Sequence, residues 1–227
     1  MKFIVFGLGS FGSSLASKLV VLGHEVIGVD HRPEVADKWK DKITHTVSLD
    51  ATSREAMESL PLRDVDAVVV SIGETPGISI MVTALLKQLG VKRIINRVVT
   101  PLQRTVLEAM MIEEFINPEA ESAERLAYKL DLKGVVDSYR VTDENQVIEV
   151  RVPKLFIGSK VGQIKFEEEH EILLVTVIRP SEQKNLFGTV HKVRKSLGIV
   201  DPELVLEKDD TLVLFGEVDK LEVFIEY

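Results

Sequence analysis

The sequence predicts an α/β fold, with an open parallel sheet in the first half and a second, small α+β C-terminal domain. Three observations lead to this prediction. The first half alternates short apolar runs with segments of helical periodicity, as repeated strand–helix–strand units do. Runs such as residues 67–71 (AVVVS) are apolar throughout, which is typical of parallel strands buried on both faces. After about residue 131 the helical segments become short, so we place the domains at residues 1–133 and 134–227.

Each apolar run of the first domain is followed by a predicted helix. Glycines lie between the first apolar run and the first helix. In chain order the pairs are FIVFG with SSLASKLVVLGH, HEVIGVD with PEVADKWK, ITHTVSLD with SREAMESL, DAVVVSIG with ISIMVTALLKQLG, and KRIINRV with PLQRTVLEAMM. The second domain has the alternating run RVTDENQVIEVRVP with a turn at DEN, and then HEILLVTVIRP, TLVLFG and VDKLEVFIE. It has no second glycine fingerprint. Strands with few helices are typical of a small α+β unit.

Composition excludes several classes of function. The chain has 227 residues, of which 45% are hydrophobic, so it can bury a real core. Its net charge of -8 disfavours broad nucleic-acid binding and docking on anionic lipid. The absence of cysteine excludes disulfides, thiolate catalysis and cysteine metal sites, and it suits a reducing compartment. We find neither a signal peptide nor an apolar run of about 18 residues. We therefore expect a cytoplasmic protein that reaches a membrane only through a partner.

The motif GLGSFG has the GxGxxG spacing of a nucleotide-binding turn, because it leaves a strand and opens a helix. Gly7 would permit the tight turn, Gly9 would let a phosphate approach the backbone, and Gly12 would let the helix pack against the strand. The helix N-terminus favours an anion. Asp30, 18 positions after Gly12, can accept hydrogen bonds from ribose hydroxyls. It would repel a 2′-phosphate, and Arg32 has no assured route to the pocket, so we expect NADP to be disfavoured.

Other strand ends fall at the same edge of the predicted sheet, where open α/β sheets bind ligands. Asp50 is either an acceptor for an adenine amino group or a cap of the helix that begins near Ser53. Arg97 is either a phosphate partner, since a guanidinium binds phosphate with two hydrogen bonds, or part of an exposed salt bridge. The predicted strand ends at this edge are Asp50-Ala51-Thr52, Ser71-Ile72-Gly73 and Asn96-Arg97.

The order and spacing of several segments resemble RCK domains, the regulator-of-potassium-conductance domains of Trk/Ktr-type potassium uptake systems. The segments are FGLGSFG, VDHRPEVADKW, LDATSREAM, VVVSIGE, ALLKQLGVKRIINRV, VLEAMMIEEFINPE and AERLA. Residues 134–227 are similar to the companion domain of that family through LFIGSKVGQI, ILLVTVIRP and LEKDDTLVLFGEVDKLEVF. The resemblance therefore extends over almost the whole chain.

This resemblance implies a cytosolic gating subunit that forms dimers and octameric rings beneath a membrane potassium subunit. It implies that ATP, ADP or NAD(H) binds in the first domain, and it allows a cyclic dinucleotide at the second. By position, Glu119 would match a carboxylate that reaches a divalent cation. Its other interpretation is a first-turn glutamate after Pro118 that interacts with the helix dipole. The nucleotide site would comprise Gly7, Gly9, Ser10, Phe11, Gly12, Asp30, His31, Asp50, Ala51, Ser71, Ile72, Gly73 and Arg97.

The sequence departs from the family pattern at two places. Ser10 stands where some members carry an arginine that reaches a terminal phosphate. Serine cannot supply that charge, which removes one basis for distinguishing ATP from ADP. Met111-Ile112-Glu113 replaces a common Gly-Ala-Asp before the INPE segment.

Two other functions compete with a regulatory one. An NAD-dependent oxidoreductase uses the same fingerprint, but the histidines do not pair with a carboxylate or lysine in a recognisable catalytic spacing. An NADH-sensing transcriptional repressor would need a basic DNA-binding module. The dense cationic cluster is residues 191–195 (HKVRK). We interpret it as a solvated helix face or, if functional, as a site for a small phosphorylated regulator.

Overall fold

The computed structural model describes residues 1–131, 134–184 and 190–227. The chain divides into two compact units, Met1–Glu119 and Ala120–Tyr227. This division falls at the beginning of a helix that lies within the predicted first domain, residues 1–133. A functional boundary near residue 133 stays a prediction.

The first unit contains a six-stranded sheet in which every pair is parallel, and its strand order is β3-β2-β1-β4-β5-β6. The order reverses between β1 and β4, which is the position where open α/β sheets open a crevice for a ligand. The strands are β1 (Lys2–Phe6), β2 (Glu25–Asp30), β3 (His45–Ser48), β4 (Ala67–Val70), β5 (Ile94–Arg97) and β6 (Glu114–Ile116). The predicted parallel sheet is confirmed.

The helices that begin within the first unit start at residues that favour a helix N-terminus. Thr100 caps one helix by accepting a hydrogen bond from the Gln103 backbone, and Pro76 and Pro101 occupy first-turn positions that need no N–H donor. In chain order the helices are α1 (Ser10–Val21), α2 (Pro33–Trp39), α3 (Arg54–Glu58), α4 (Pro76–Gln88), α5 (Pro101–Ala109) and α6 (Pro118–Asp131). The helix predicted after the glycine turn is confirmed as α1, with Leu22 at its C-cap.

The two central strands are buried on both faces, which explains their unbroken apolar sequence. Ile4 and Phe6 face one core together with Val68 and Val70. Val5 faces the opposite core, which also includes Leu8, Ala16 and Val69. Burial on both sides fixes the ends of β1 and β4 firmly, so the loops that follow them have a rigid base.

The second unit is built on a five-stranded antiparallel sheet with the strand order β10-β9-β11-β8-β7. Its elements are β7 (Val135–Arg140), β8 (Asn145–Arg151), short 3-10 turns at Lys154–Phe156 and Val161–Gln163, β9 (Leu173–Lys184), β10 (Val190–Ser196), β11 (Thr211–Glu217) and α7 (Val218–Ile225). Phe224 of α7 is fully buried and stacks on Phe156 with ring centroids 5.1 Å apart. The predicted α+β class of this domain is confirmed.

The basic segment at residues 191–195 is not a helix. It lies within β10, which pairs antiparallel with β9, so the interpretation as a helix face was wrong. Lys192, Arg194 and Lys195 are exposed, and Arg194 forms an ion pair with Glu149 of β8. The run has one valine among four basic residues, so its sequence favours neither a strand nor a helix, and the pairing with β9 decides between them. In the described part of the chain, no helix is both long and apolar enough to span a membrane.

Candidate functional site

A cavity of about 840 Å³ lies at the carboxyl ends of the strands of the first unit. It brings together the predicted nucleotide-binding residues, except Gly12, and it also includes Glu119. Gly12 lies behind the wall as a packing residue. The residues that line the cavity and that the sequence analysis did not assign to the site include Phe6, Val29, Arg32, Leu49, Thr52, Glu74, Thr75 and Ile78.

The three glycines of the turn have three different physical roles. Gly7 has a φ of +88°, which L side chains rarely adopt, and its N–H donates to the Val29 carbonyl oxygen at 2.7 Å. A Cβ on Gly12 would lie far inside the 3.0 Å limit of real contacts, against the Gly7 carbonyl oxygen and Ser71 Oγ. A Cβ on Gly9 would meet no atom of the chain within 4 Å. The chain therefore needs glycine at 7 and 12 for its own fold, whereas at Gly9 the space is left open toward the cavity.

The first turn of α1 is suited to an anion. Gly9 is the N-cap of this helix and supplies no side-chain acceptor for the first amides. Helix amides without a cap keep their donors available to a ligand, and the helix dipole adds to the attraction. Ser10 and Phe11 line the cavity at this point.

Asp30, at the end of β2, is buried and accepts hydrogen bonds on both oxygens. Its Oδ2 accepts from the Leu8 backbone N–H at 2.8 Å and from Arg32 Nη2 at 3.2 Å. Its Oδ1 accepts from the Arg32 backbone N–H and from Arg32 Nε, each at 3.0 Å. His31 Nδ1 lies 3.5 Å from the same oxygen. Arg32 therefore lies in the cavity wall, and the expectation that it has no assured route to the pocket was wrong.

These contacts decide the ionisation of Asp30. Burial by itself would raise the pKa of this carboxyl group. Three sets of hydrogen bonds together outweigh burial: those from the Arg32 side chain, from the Arg32 backbone and from the Leu8 backbone. The pKa of Asp30 therefore lies below its ordinary value of 3.8. Asp30 is consequently a carboxylate at neutral pH.

Asp50 forms a local turn and does not cap the next helix. Its Oδ1 accepts from the backbone N–H of Thr52 at 2.9 Å and from Thr52 Oγ1 at 2.7 Å, which lowers its pKa. The cap of α3 is Ser53, whose Oγ accepts from the Ala56 backbone. The capping interpretation of Asp50 was therefore wrong, while its role toward an adenine stays a prediction. Ala51 lies next to Asp50 on the cavity wall.

The opposite wall is arranged around Ser71 and Arg97. Ser71 is buried, and its Oγ lies 2.8 Å from the Phe6 carbonyl oxygen and 2.7 Å from that of Gly7. Arg97 Nη1 donates to the Ser71 carbonyl oxygen at 3.3 Å. A Cβ on Gly73 would lie 2.7 Å from the guanidinium carbon of Arg97, so glycine lets the guanidinium lie against this backbone.

Arg97 forms an ion pair with Glu119, the second residue of α6. The Arg97 side chain is 19% exposed and that of Glu119 is 58% exposed. The salt-bridge interpretation of Arg97 is therefore correct for this structure, and Arg97 still lines the cavity. Among the residues that the structure describes, no group of three His, Asp or Glu side chains could hold a metal ion. The predicted cation at Glu119 would thus need ligands beyond those groups.

The cavity wall contains two arginines and four carboxylates, and each arginine is already paired with one of the acids. Arg32 pairs with Asp30 and Arg97 with Glu119. The other two acids on the wall are Asp50 and Glu74. A phosphate that enters would therefore contact an arginine that already has a carboxylate partner.

Comparison with known proteins places the chain in a family. The family model for the TrkA-N domain matches residues 3–118. Ktr system potassium uptake protein C of Bacillus subtilis is 27% identical over 98% of this chain and 95% of its own length. Ktr system potassium uptake protein A of the same organism is 32% identical over 78% of this chain and 79% of its own length.

A solved structure has the same fold over the whole chain. The GsuK RCK domain superimposes with a TM-score of 0.68 at 16% identity, over 100% of this chain and 48% of that chain. The GsuK channel bound to NAD gives a TM-score of 0.65 at 16% identity, over 99% of this chain and 39% of that chain. The chain therefore has the fold of the GsuK RCK domain, is related to the Ktr potassium uptake proteins and belongs to the TrkA-N domain family.

Proposed function

We propose that this protein is a nucleotide-sensing regulatory subunit of a potassium uptake system. The observation that carries the proposal is the likeness to the Ktr protein C over 98% of this chain, because it covers both units. The partner of such a regulatory subunit would be a membrane-embedded potassium transporter or channel subunit. The protein would act on the cytoplasmic side of that partner.

The ligand that the first unit fits is an adenine nucleotide (ATP or ADP) or NAD(H). The open space at Gly9 and the first turn of α1 suit the phosphates. Asp30 lies at the strand end where a ribose binds in such folds, and Asp50 and Ala51 lie further along the same edge. The binding of NAD by the GsuK channel supports this assignment by likeness of fold. A divalent cation at Glu119 and a cyclic dinucleotide at the second unit stay predictions.

Regulation follows from differential affinity. A ligand shifts a conformational equilibrium only if it binds the two states unequally, and a tenfold preference supplies about 1.4 kcal/mol per site. In a dimer or an octameric ring these contributions add over identical sites. A moderate difference in ligand affinity between the two conformations at each pocket would then be enough to change the activity of a membrane partner.

The test measures binding and transport on the same protein. Calorimetry should give micromolar or tighter affinity for at least one of ATP, ADP and NADH, and size-exclusion chromatography with light scattering should give a dimer or a larger ring. Potassium flux through liposomes that contain the copurifying membrane subunit should change with the nucleotide. Flux that is independent of the protein and of every nucleotide would overturn the proposal.

A second assay tests the alternative function, an NAD-dependent oxidoreductase, which would use the same glycine turn. NADH oxidation is followed at 340 nm with pooled small metabolites as acceptors. Steady turnover would favour the enzyme, whereas binding without turnover supports the sensor. Retardation of DNA by the NADH-bound protein would favour the repressor.

A further inference from the structure

The carboxylate that is expected to bind a ribose is already saturated by the chain. A carboxylate offers about four lone-pair sites, and Asp30 accepts four hydrogen bonds, of which three come from Arg32. Asp30 lines the cavity but is only 4% exposed, because these partners cover its carboxylate. A ribose that enters this edge therefore finds the carboxylate already bonded, beside an Arg32 side chain that is far more exposed.

Arg32 still has donors to offer at this position. A guanidinium carries five N–H groups, and two of them bond to Asp30, which leaves three that do not. Its side chain is 36% exposed and lines the cavity. The hydrogen bond and the charge of Asp30 raise the pKa of Arg32, and Glu74 and Glu34 raise it further, so the group stays cationic.

Asp30 therefore does not face this edge of the cavity as an unpaired negative charge. Arg32 and Asp30 cancel, and His31 lies beside them as a further donor. Glu74 lines the same cavity and opposes an anion, but charges that do not touch are screened by salt. A phosphate that contacts the guanidinium directly gains charge-assisted hydrogen bonds, which are the stronger kind.

We propose that Arg32 contacts the 2′ position of the adenosine ribose, so that the pocket accepts NADP(H) as well as NAD(H). This inference rests on the proposed nucleotide-binding function and specifies its ligand class. It reverses the expectation from sequence that Asp30 alone would exclude a 2′-phosphate. In Rossmann-type sites a nearby arginine is the group that accommodates this phosphate.

The test is calorimetry of the full chain with NADH and NADPH at pH 7.5 and fixed ionic strength. Wild-type protein should bind the two with dissociation constants within about threefold of each other. In Arg32→Ala the ratio of the NADPH to the NADH dissociation constant should rise at least tenfold, because Asp30 becomes an uncompensated charge. NADH should bind the variant as well as before or more tightly, since the carboxylate is released for the ribose hydroxyls.

The matched control is Arg93→Ala, which removes an arginine that pairs with Glu114 through two hydrogen bonds outside the cavity. It should leave the ratio unchanged. Arg32→Gln keeps donors but removes the charge, and it serves if the alanine variant does not fold. Its ratio should also rise.

The outcomes separate this inference from the proposed function. Wild-type binding of NADH with no detectable NADPH binding would overturn the inference and leave the function intact. An unchanged ratio in folded Arg32→Ala or Arg32→Gln would overturn it as well. Failure of wild-type protein to bind any adenine nucleotide would overturn the function and the inference together.

Discussion

Two alanine substitutions in one glycine turn should separate folding from binding. Gly12→Ala adds a methyl group where the ideal Cβ lies roughly 1 Å inside the 3.0 Å limit, against the Gly7 carbonyl oxygen and Ser71 Oγ. Neither group is the end of a long flexible side chain, so the start of α1 has to move. Alanine improves helix propensity by at most about 1 kcal/mol, whereas overpacking costs about 1–3 kcal/mol or more. We expect a net loss of about 2 kcal/mol of unfolding free energy.

Gly9→Ala is the matched substitution three residues earlier. Its Cβ would meet nothing within 4 Å, and its φ of −64° is allowed for alanine. Alanine is a poorer N-cap than glycine but lowers the entropy of the unfolded chain, so the two effects offset to within about 0.5 kcal/mol. The added methyl group stands where a phosphate would approach the backbone. We therefore expect unchanged stability and at least tenfold weaker binding of ADP or NADH.

The assay is urea unfolding followed by the fluorescence of Trp39, the single tryptophan, which lies in α2 of the first unit. Calorimetry on the same preparations gives the affinity. Wild-type stability in Gly12→Ala would refute the packing argument for this turn. Wild-type affinity in Gly9→Ala would show that no phosphate approaches this backbone.

Three further predictions concern single side chains. Arg97→Ala should weaken ADP or NADH binding about tenfold through loss of a charge-assisted contact, while Arg93→Ala should not change it in the same calorimetric titration. Because the folded-state pKa of Asp30 is depressed, its contribution to stability is present above about pH 4 and disappears as the pH falls through that pKa. Arg32→Ala removes the side-chain hydrogen bonds and leaves only the backbone N–H groups of Leu8 and residue 32 to oppose burial, so that pKa rises and circular dichroism should show acid unfolding at a higher pH; an unchanged midpoint would contradict this. Ser71→Ala removes the single hydroxyl donor that lies between the carbonyl oxygens of Phe6 and Gly7 and should cost about 1–2 kcal/mol in urea unfolding; a smaller effect would contradict that role.

The sequence was sufficient for the parts of the fold that periodicity controls. The unbroken apolar run at residues 67–71 predicts a strand buried on both faces, and β4 is such a strand. The glycine spacing predicts the turn because Gly7 and Gly12 are required by backbone geometry and by close packing. These requirements are local, so a single sequence expresses them.

The parts that the sequence did not reveal depend on side-chain partners. Residues two apart on an extended strand lie on the same face, so the spacing of Asp30 and Arg32 permits a pair, but β2 ends at Asp30 and the sequence does not fix the course of the chain beyond it. The turn after β2 brings the Arg32 guanidinium back onto the carboxylate. A carboxylate followed two residues later by an arginine at a strand end is the signal that would have indicated the pair. The basic run in β10 was misassigned although its pairing partner, β9, is the preceding strand of the chain, because one valine among four basic residues gives no clear strand alternation.

The pair between Arg97 and Glu119 limits how much one pocket can contribute to a switch. A ligand phosphate that takes the Arg97 guanidinium has to compete with Glu119, which stands in the first turn of α6. Since Glu119 is more than half exposed, such a pair is worth only about 0–1 kcal/mol. That amount is below the 1.4 kcal/mol that corresponds to a tenfold shift. A response through this pair therefore requires either further contacts that differ between the bound states or several subunits whose contributions add, and an isolated monomer should respond only weakly to nucleotide.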